Sequence, residues 1–227
     1  MRRSYGETLV KSLLRSGKNI FPVHTINRCV CRYMLVMCKN NDIRDTRQEV
    51  GREAAVCRSL FEKKTRDYGT SWRVLRLPSL TDQIFIKANR IRSIQESGEN
   101  CVGDGTRDEF VAMVNYAVMA LVQQELEGDG GGEAPQELPL EEAMRLYDKH
   151  LNRTLELMLA KNHDYGEAWR QMRIGSMVDL ILMKLRRIKQ IEDNGGQTLV
   201  SEGVEGGYMD IVNYSLFCLV RMTEEEK

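Results

Sequence analysis

The chain has 227 residues and a mass of 26.1 kDa, with 33 basic and 33 acidic residues and zero formal net charge. Neutrality removes the positive excess that general DNA and RNA binders carry, and no apolar run approaches the roughly 20 residues that span a bilayer. Four prolines and an aromatic content of 7% lean away from a β-sandwich and towards helices.

Residues 1–43 hold Cys29, Cys31 and Cys38, several basic residues and no sustained hydrophobic period. They read as an extension, expected to be disordered and dispensable. From residue 44 the pattern becomes helical. A first unit, 44–127, predicts helices over about 46–66, 79–95 and 108–127. A glycine-rich linker follows over 128–137. The second unit, 138–227, predicts helices over about 139–162, 176–193 and 207–222. Pro139 suits a first helical position, and Leu140, Ala143, Tyr147, Leu151, Leu155 and Met158 recur at helical spacing. Short connections between amphipathic helices predict an all-α fold, two tandem three-helix repeats packed as a pseudo-twofold helical bundle. The six cysteines lack paired zinc spacing, and unpaired thiols fit a reducing, cytoplasmic setting.

The two units are copies. Asp67 and Asp164 lie 97 residues apart, and the same separation superimposes both tryptophans, Trp72 and Trp169. Lys64/Lys161, Tyr68/Tyr165, Gly69/Gly166, Arg73/Arg170, Arg76/Arg173, Lys87/Lys184 and Arg90/Arg187 are further identities. After a one-residue shift, Val114-Asn115-Tyr116 falls on Val212-Asn213-Tyr214. A repeat kept for packing alone would retain its apolar pattern and let polar residues drift. Here the polar residues persist, which points to a site or to buried bonds used twice.

Asp164-Tyr165-Gly166 reads as a helix stop, with glycine supplying a positive φ; a stop, however, does not require Lys161 or Trp169. Ser176 and Asp179 resemble a capping box opening the middle helix, as do Ser79 and Asp82. Lys184 and Arg187, three apart, share a helical face, with Arg170 and Arg173 upstream, and such a face suits phosphates. Glu202 precedes the last helix, on which Asp210, Asn213 and Tyr214 share a face. Carboxylates on neighbouring helices are how bundles hold Mg²⁺. The first unit has Ala112 in place of Asp210 and Asp104 in place of Glu202, so the second unit is expected to be the metal-competent half. No Ser-His-Asp or Cys-His constellation is present, and no catalytic residue is assigned.

The combination K-x-x-D-Y-G-x-x-W, D-x-x-x-x-K-x-x-R-I, E-G and D-x-x-N-Y resembles the nucleotide modification associated domain 1 family in its tandem-repeat bacterial form. The resemblance runs from about residue 44 to the C-terminus. The last helix is more loosely similar to the MazG-like all-α nucleoside triphosphate pyrophosphatases, whose E-x-x-E motif is missing here. These resemblances imply a nucleotide-binding protein of nucleotide modification or metabolism. Mg²⁺-dependent (d)NTP pyrophosphohydrolysis is the enzymatic reading; a non-catalytic nucleotide-binding or adaptor protein serving a nucleotide-modifying enzyme is the alternative. On this reading Glu202, Asp210, Asp179 and Asp164 hold Mg²⁺. Lys161, Arg173, Lys184 and Arg187 meet phosphates, Tyr165 or Trp169 stacks on the base, and Asn213 and Tyr214 complete the nucleotide site. The expected partner is a nucleotide rather than a membrane or a nucleic acid, and homo-oligomerisation is an open expectation.

Overall fold

A computed structural model describes residues 45–101, 103, 105–128, 137–200 and 203–225. The expectations for residues 1–43, for most of the linker, and for Asp104 and Glu202 lie outside the described residues. Within them the chain is all-α, with six helices and no strand. The first repeat comprises α1 (Thr46–Tyr68), α2 (Leu77–Ser97) and α3 (Thr106–Gly128), and the second α4 (Leu140–Tyr165), α5 (Ile174–Asp193) and α6 (Gly203–Glu225).

The local rules repeat with the sequence. α1 begins on Asp45, whose side chain accepts from the Gln48 amide at 3.3 Å, an N-cap that satisfies one of the orphan donors of a first turn. α1 and α4 both stop on the glycine of the Asp-Tyr-Gly triplet. Gly69 has φ 67° and Gly166 φ 60°, and their amides return to Thr65 and Asn162 carbonyls at 2.9 and 3.0 Å. Each stop leads into one 3-10 turn, Ser71–Val74 and Ala168–Gln171, which carries the tryptophan into the core.

The middle helices start earlier than the sequence pattern predicts. α2 begins at Leu77 and α5 at Ile174, with Arg76 and Arg173 at their N-caps and no side-chain cap bond. Ser79 and Ser176 are therefore already inside the first turn, and the expected capping boxes do not form. Pro139 is the residue before α4 rather than its first member. In α2 the proline at residue 78 suits the helix start, because its missing N–H falls among donors that are unpaired there anyway.

α3 and α6 are apolar nearly all round, the signature of helices buried on every side. Phe110, Val114, Ala117 and Val118 of α3 and Tyr208, Ile211, Val212, Leu216 and Leu219 of α6 are all buried. Every helix meets its own counterpart: α1 packs on α4, α2 on α5 and α3 on α6. Each first helix also reaches across to the other repeat's last helix, α1 to α6 and α4 to α3. Self-pairing of all three helix types is what an approximate twofold axis produces. Side chains keep the register: His150 of α4 meets Glu125 of α3 at 2.9 Å, and their counterparts Glu53 of α1 and Thr223 of α6 are bonded at 2.9 Å. The repeats are thus interleaved, with Phe61 and Tyr147 stacked between α1 and α4, ring centroids 4.4 Å apart.

Candidate functional site

In each repeat the end of the first helix, the 3-10 turn and the last helix enclose a pocket lined by the duplicated polar residues, and in the first repeat the middle helix adds Lys87. The pocket of the second repeat has a volume of about 360 Å³. Lys161, Tyr165, Trp169, Asp210, Asn213 and Tyr214 line it together with Met158, Met172 and Phe217. The pocket of the first repeat, about 330 Å³, is lined by their counterparts Lys64, Tyr68, Trp72, Ala112, Asn115 and Tyr116, and also by Lys87. Residues scattered along the sequence, retained twice, therefore converge twice.

The aromatic residues take different parts. Trp169 is buried, stacked on Phe217 at 4.3 Å and overlaid by the Arg170 guanidinium at 4.4 Å. It is a wall rather than a free stacking face. Tyr165 is 74% exposed and Tyr68 58% exposed, so each pocket has an open aromatic ring at its mouth. Burial pushes the Tyr214 hydroxyl above its usual value, with Asp210 adding to the shift and Lys184 opposing it. The indole nitrogens of Trp72 and Trp169 are both buried without a hydrogen-bond acceptor.

Arg170 also explains its own retention. Its guanidinium binds Glu49, Glu167 at 2.6 Å, Glu224 at 3.0 Å and the Thr46 hydroxyl at 2.9 Å. Glu167 holds a positive φ of 58° within that network, a conformation that non-glycine residues rarely adopt. Arg73, its counterpart, is buried and donates to Gln123 of α3. These arginines join turns to helices.

The described candidate carboxylates, Asp164, Asp179 and Asp210, do not assemble as a metal set. Asp164 is 80% exposed beside His163, and Asp179 is 63% exposed and 3.5 Å from Arg92 of α2. Asp210 alone of the described candidates lies on the pocket wall. Its two oxygens face Lys184 at 2.6 Å and Lys161 at 3.8 Å. Among the described residues no three His, Cys, Asp or Glu side chains are placed to share a metal ion. Two ammonium groups on the one carboxylate also oppose a dication there, so the described residues by themselves do not fit a resident Mg²⁺ site.

Lys161 and Lys184 are brought together through Asp210. Arg187 lies next door, in a cradle of about 280 Å³ formed with Lys184, Asp210, Gly203, Gly206 and Gly207 at the start of α6. Arg187 has no ion-pair partner among the described residues. Arg173, as the residue before α5, lines neither cavity.

The repeats differ by the position of one acid, a difference that comparing Ala112 with Asp210 alone did not reveal. In the first repeat Glu109, buried on α3, binds Lys87 at 3.1 Å and also Arg90. Its counterpart is Gly207. The carboxylate of the last helix has thus moved by one turn. In the first repeat it fills the Lys-Arg cradle and leaves Lys64 without an ion pair among the described residues. In the second it sits between Lys161 and Lys184 and leaves Arg187 open. The signal was present as Glu109 three residues before Ala112, one turn along the same helical face. A second difference is Asn115, whose Oδ1 accepts from the Tyr147 hydroxyl at 2.6 Å. The repeat counterpart of Tyr147 is Val50, which carries no donor, and the buried Asn213 Oδ1 has no hydrogen-bond partner among the described residues.

An all-helical bundle of two interleaved units, each with its own pocket of duplicated cationic, aromatic and amide groups, defines the class of protein. The family described as nucleotide modification associated domain 1 matches the chain twice, over residues 64–124 and 161–222, and these stretches together make up more than half of it. The chain belongs to that family, as a tandem member. No curated protein and no solved structure matches it. No helix among the described residues is long and apolar enough to cross a membrane.

Proposed function

We propose that the protein binds a phosphorylated nucleoside in its second repeat, as a nucleotide-binding component of nucleotide modification. The observation that carries this reading is the open Lys184–Arg187 cradle. In the first repeat the equivalent lysine and arginine hold a carboxylate, Glu109. In the second, glycine stands at that position, Asp210 pairs with Lys184, and Arg187 has no ion pair among the described residues, which leaves it for an external anion. The cradle opens on the first turn of α6, where unpaired backbone N–H groups and the helix dipole favour phosphate. Asp210 forms the wall shared with the aromatic pocket. A nucleotide would place its phosphates at Arg187 and its base beside Tyr165 and Tyr214. The buried Asn213 Oδ1 and the Trp169 N–H offer an acceptor and a donor to the base edge.

Binding rather than hydrolysis is the activity we propose: hydrolysis would need a Mg²⁺ site, and among the described residues no three His, Cys, Asp or Glu side chains are placed to form one. A Mg²⁺-dependent pyrophosphate-release screen across canonical and modified (d)NTPs tests this directly and should stay at background; release above background would establish the hydrolase reading instead. For binding, calorimetric titration of nucleosides and their triphosphates is the test. Arg187→Gln should weaken triphosphate binding about tenfold, on the order of 1.4 kcal/mol, and leave nucleoside binding unchanged. Asp210→Asn, which removes a negative charge beside the phosphates, should tighten triphosphate binding. Loss of binding in Asp210→Asn would instead make that carboxylate a ligand to a metal or to the nucleotide, and the cradle would lose its role.

A further inference from the structure

We infer that the first repeat holds a second ligand pocket, which takes a nucleoside monophosphate with its phosphate on Lys64. The inference rests on the reading of the second repeat as a nucleotide site, and extends it to a pocket of different charge. Lys64 projects from the last turn of α1 and has no ion pair among the described residues. Ala112 stands where the second repeat has Asp210, so no carboxylate of the last helix competes for Lys64. Beside it are the exposed ring of Tyr68 and the ring of Tyr116, over a floor that includes Trp72. The Trp72 indole N–H is buried without an acceptor. A cation, open aromatic faces and an unsatisfied donor in about 330 Å³ suit a ring bearing one anionic group.

The same geometry sets the number of phosphates. Lys87, which lines the pocket, and Arg90, one turn further along α2, are already bound by Glu109. A second or third phosphoryl group would find Lys87, on the pocket wall, already neutralised. The first repeat therefore favours the monophosphate, and the second, with its open arginine, the polyphosphate. One turn of displacement in one acidic residue converts a duplicated pocket into two sites of different preference.

Calorimetric titration of the full chain with dAMP, dCMP, dGMP and dTMP in turn reads the number of sites. At least one of these should fill two sites per chain. Ala112→Asp, which installs beside Lys64 the carboxylate found in the other repeat, should remove one of them; Arg187→Gln should weaken the other. Lys64→Ala is the second variant, and should give the same loss as Ala112→Asp should the latter melt abnormally. A single site abolished by Arg187→Gln overturns the second pocket and leaves the first reading standing. A single site lost in Ala112→Asp and in Lys64→Ala, but kept in Arg187→Gln, supports the second pocket and removes the reading of the cradle. Two sites unaffected by either first-repeat variant, or no site for any of the four monophosphates, overturns the inference.

Discussion

Single side chains carry the difference between two copies of one design. Asp210 and Glu109 do the same electrostatic work, neutralising the lysine of a middle helix, from positions one helical turn apart. A comparable substitution affects stability away from the pockets. Glu192 of α5 accepts from Thr81 at 2.7 Å and from Tyr208 at 3.0 Å, whereas its counterpart in the first repeat is Gln95. Burial raises the Glu192 carboxyl above its ordinary value, although the bonds from Thr81 and Tyr208 oppose the shift. The folded state therefore holds this proton more tightly than the unfolded chain. Its contribution is fully present below the unfolded value and is lost as pH rises through the folded one. Glu192→Gln, which keeps the acceptor and removes the charge, should raise Tm near pH 7 and leave it unchanged near pH 4. A lower Tm for the variant at pH 7 would show that the charged carboxylate stabilises the fold. The duplicated polar set was legible in the sequence because identities at fixed spacing survive between rare residues. The moved acid was not, because column-by-column comparison does not register a shift along a helical face.

Among the elements, the 3-10 turns connect the pockets to the bundle. The turn at Ala168–Gln171 is held by Arg170, which ties the start of α1 to the end of α6 and covers Trp169. Periodicity made the six helices legible, together with the glycine stops at Gly69 and Gly166. It did not reveal that Arg173 and Arg76 precede the middle helices, because serine three residues before an acid mimics a cap wherever it occurs. Nor did it distinguish Arg170, which is paired within the fold, from Arg187, which has no ion pair among the described residues: the two look alike in sequence, and only packing separates them. Arg170→Met should destabilise the protein by about 2–4 kcal/mol, since it removes the one guanidinium shared by Glu49, Glu167 and Glu224 in a partly buried cluster. Urea unfolding measures this. A change below about 0.5 kcal/mol, the range of ordinary surface substitutions, would mean that the cluster is dispensable and that another contact holds the turn.

In the whole molecule, duplication and interleaving explain why both pockets persist. α1 leans on α6 and α4 on α3, so each repeat completes the other's core and neither can drift freely. The sequence made the duplication evident, but not the crossing of the first helices, which follows from packing. On the proposed reading the second repeat offers an anion cradle beside an aromatic pocket, and the two tryptophans give one reporter per repeat. Titration of ¹⁵N-labelled protein with deoxynucleoside triphosphates, followed through the indole N–H signals of Trp72 and Trp169 and the amides of Gly206 and Gly207, tests it most directly. Trp169, Gly206 and Gly207 should shift together for at least one triphosphate, at concentrations that leave Trp72 in place, and inorganic triphosphate should move the glycines alone. A saturating response elsewhere in the chain, with these three signals unmoved, would contradict the claim.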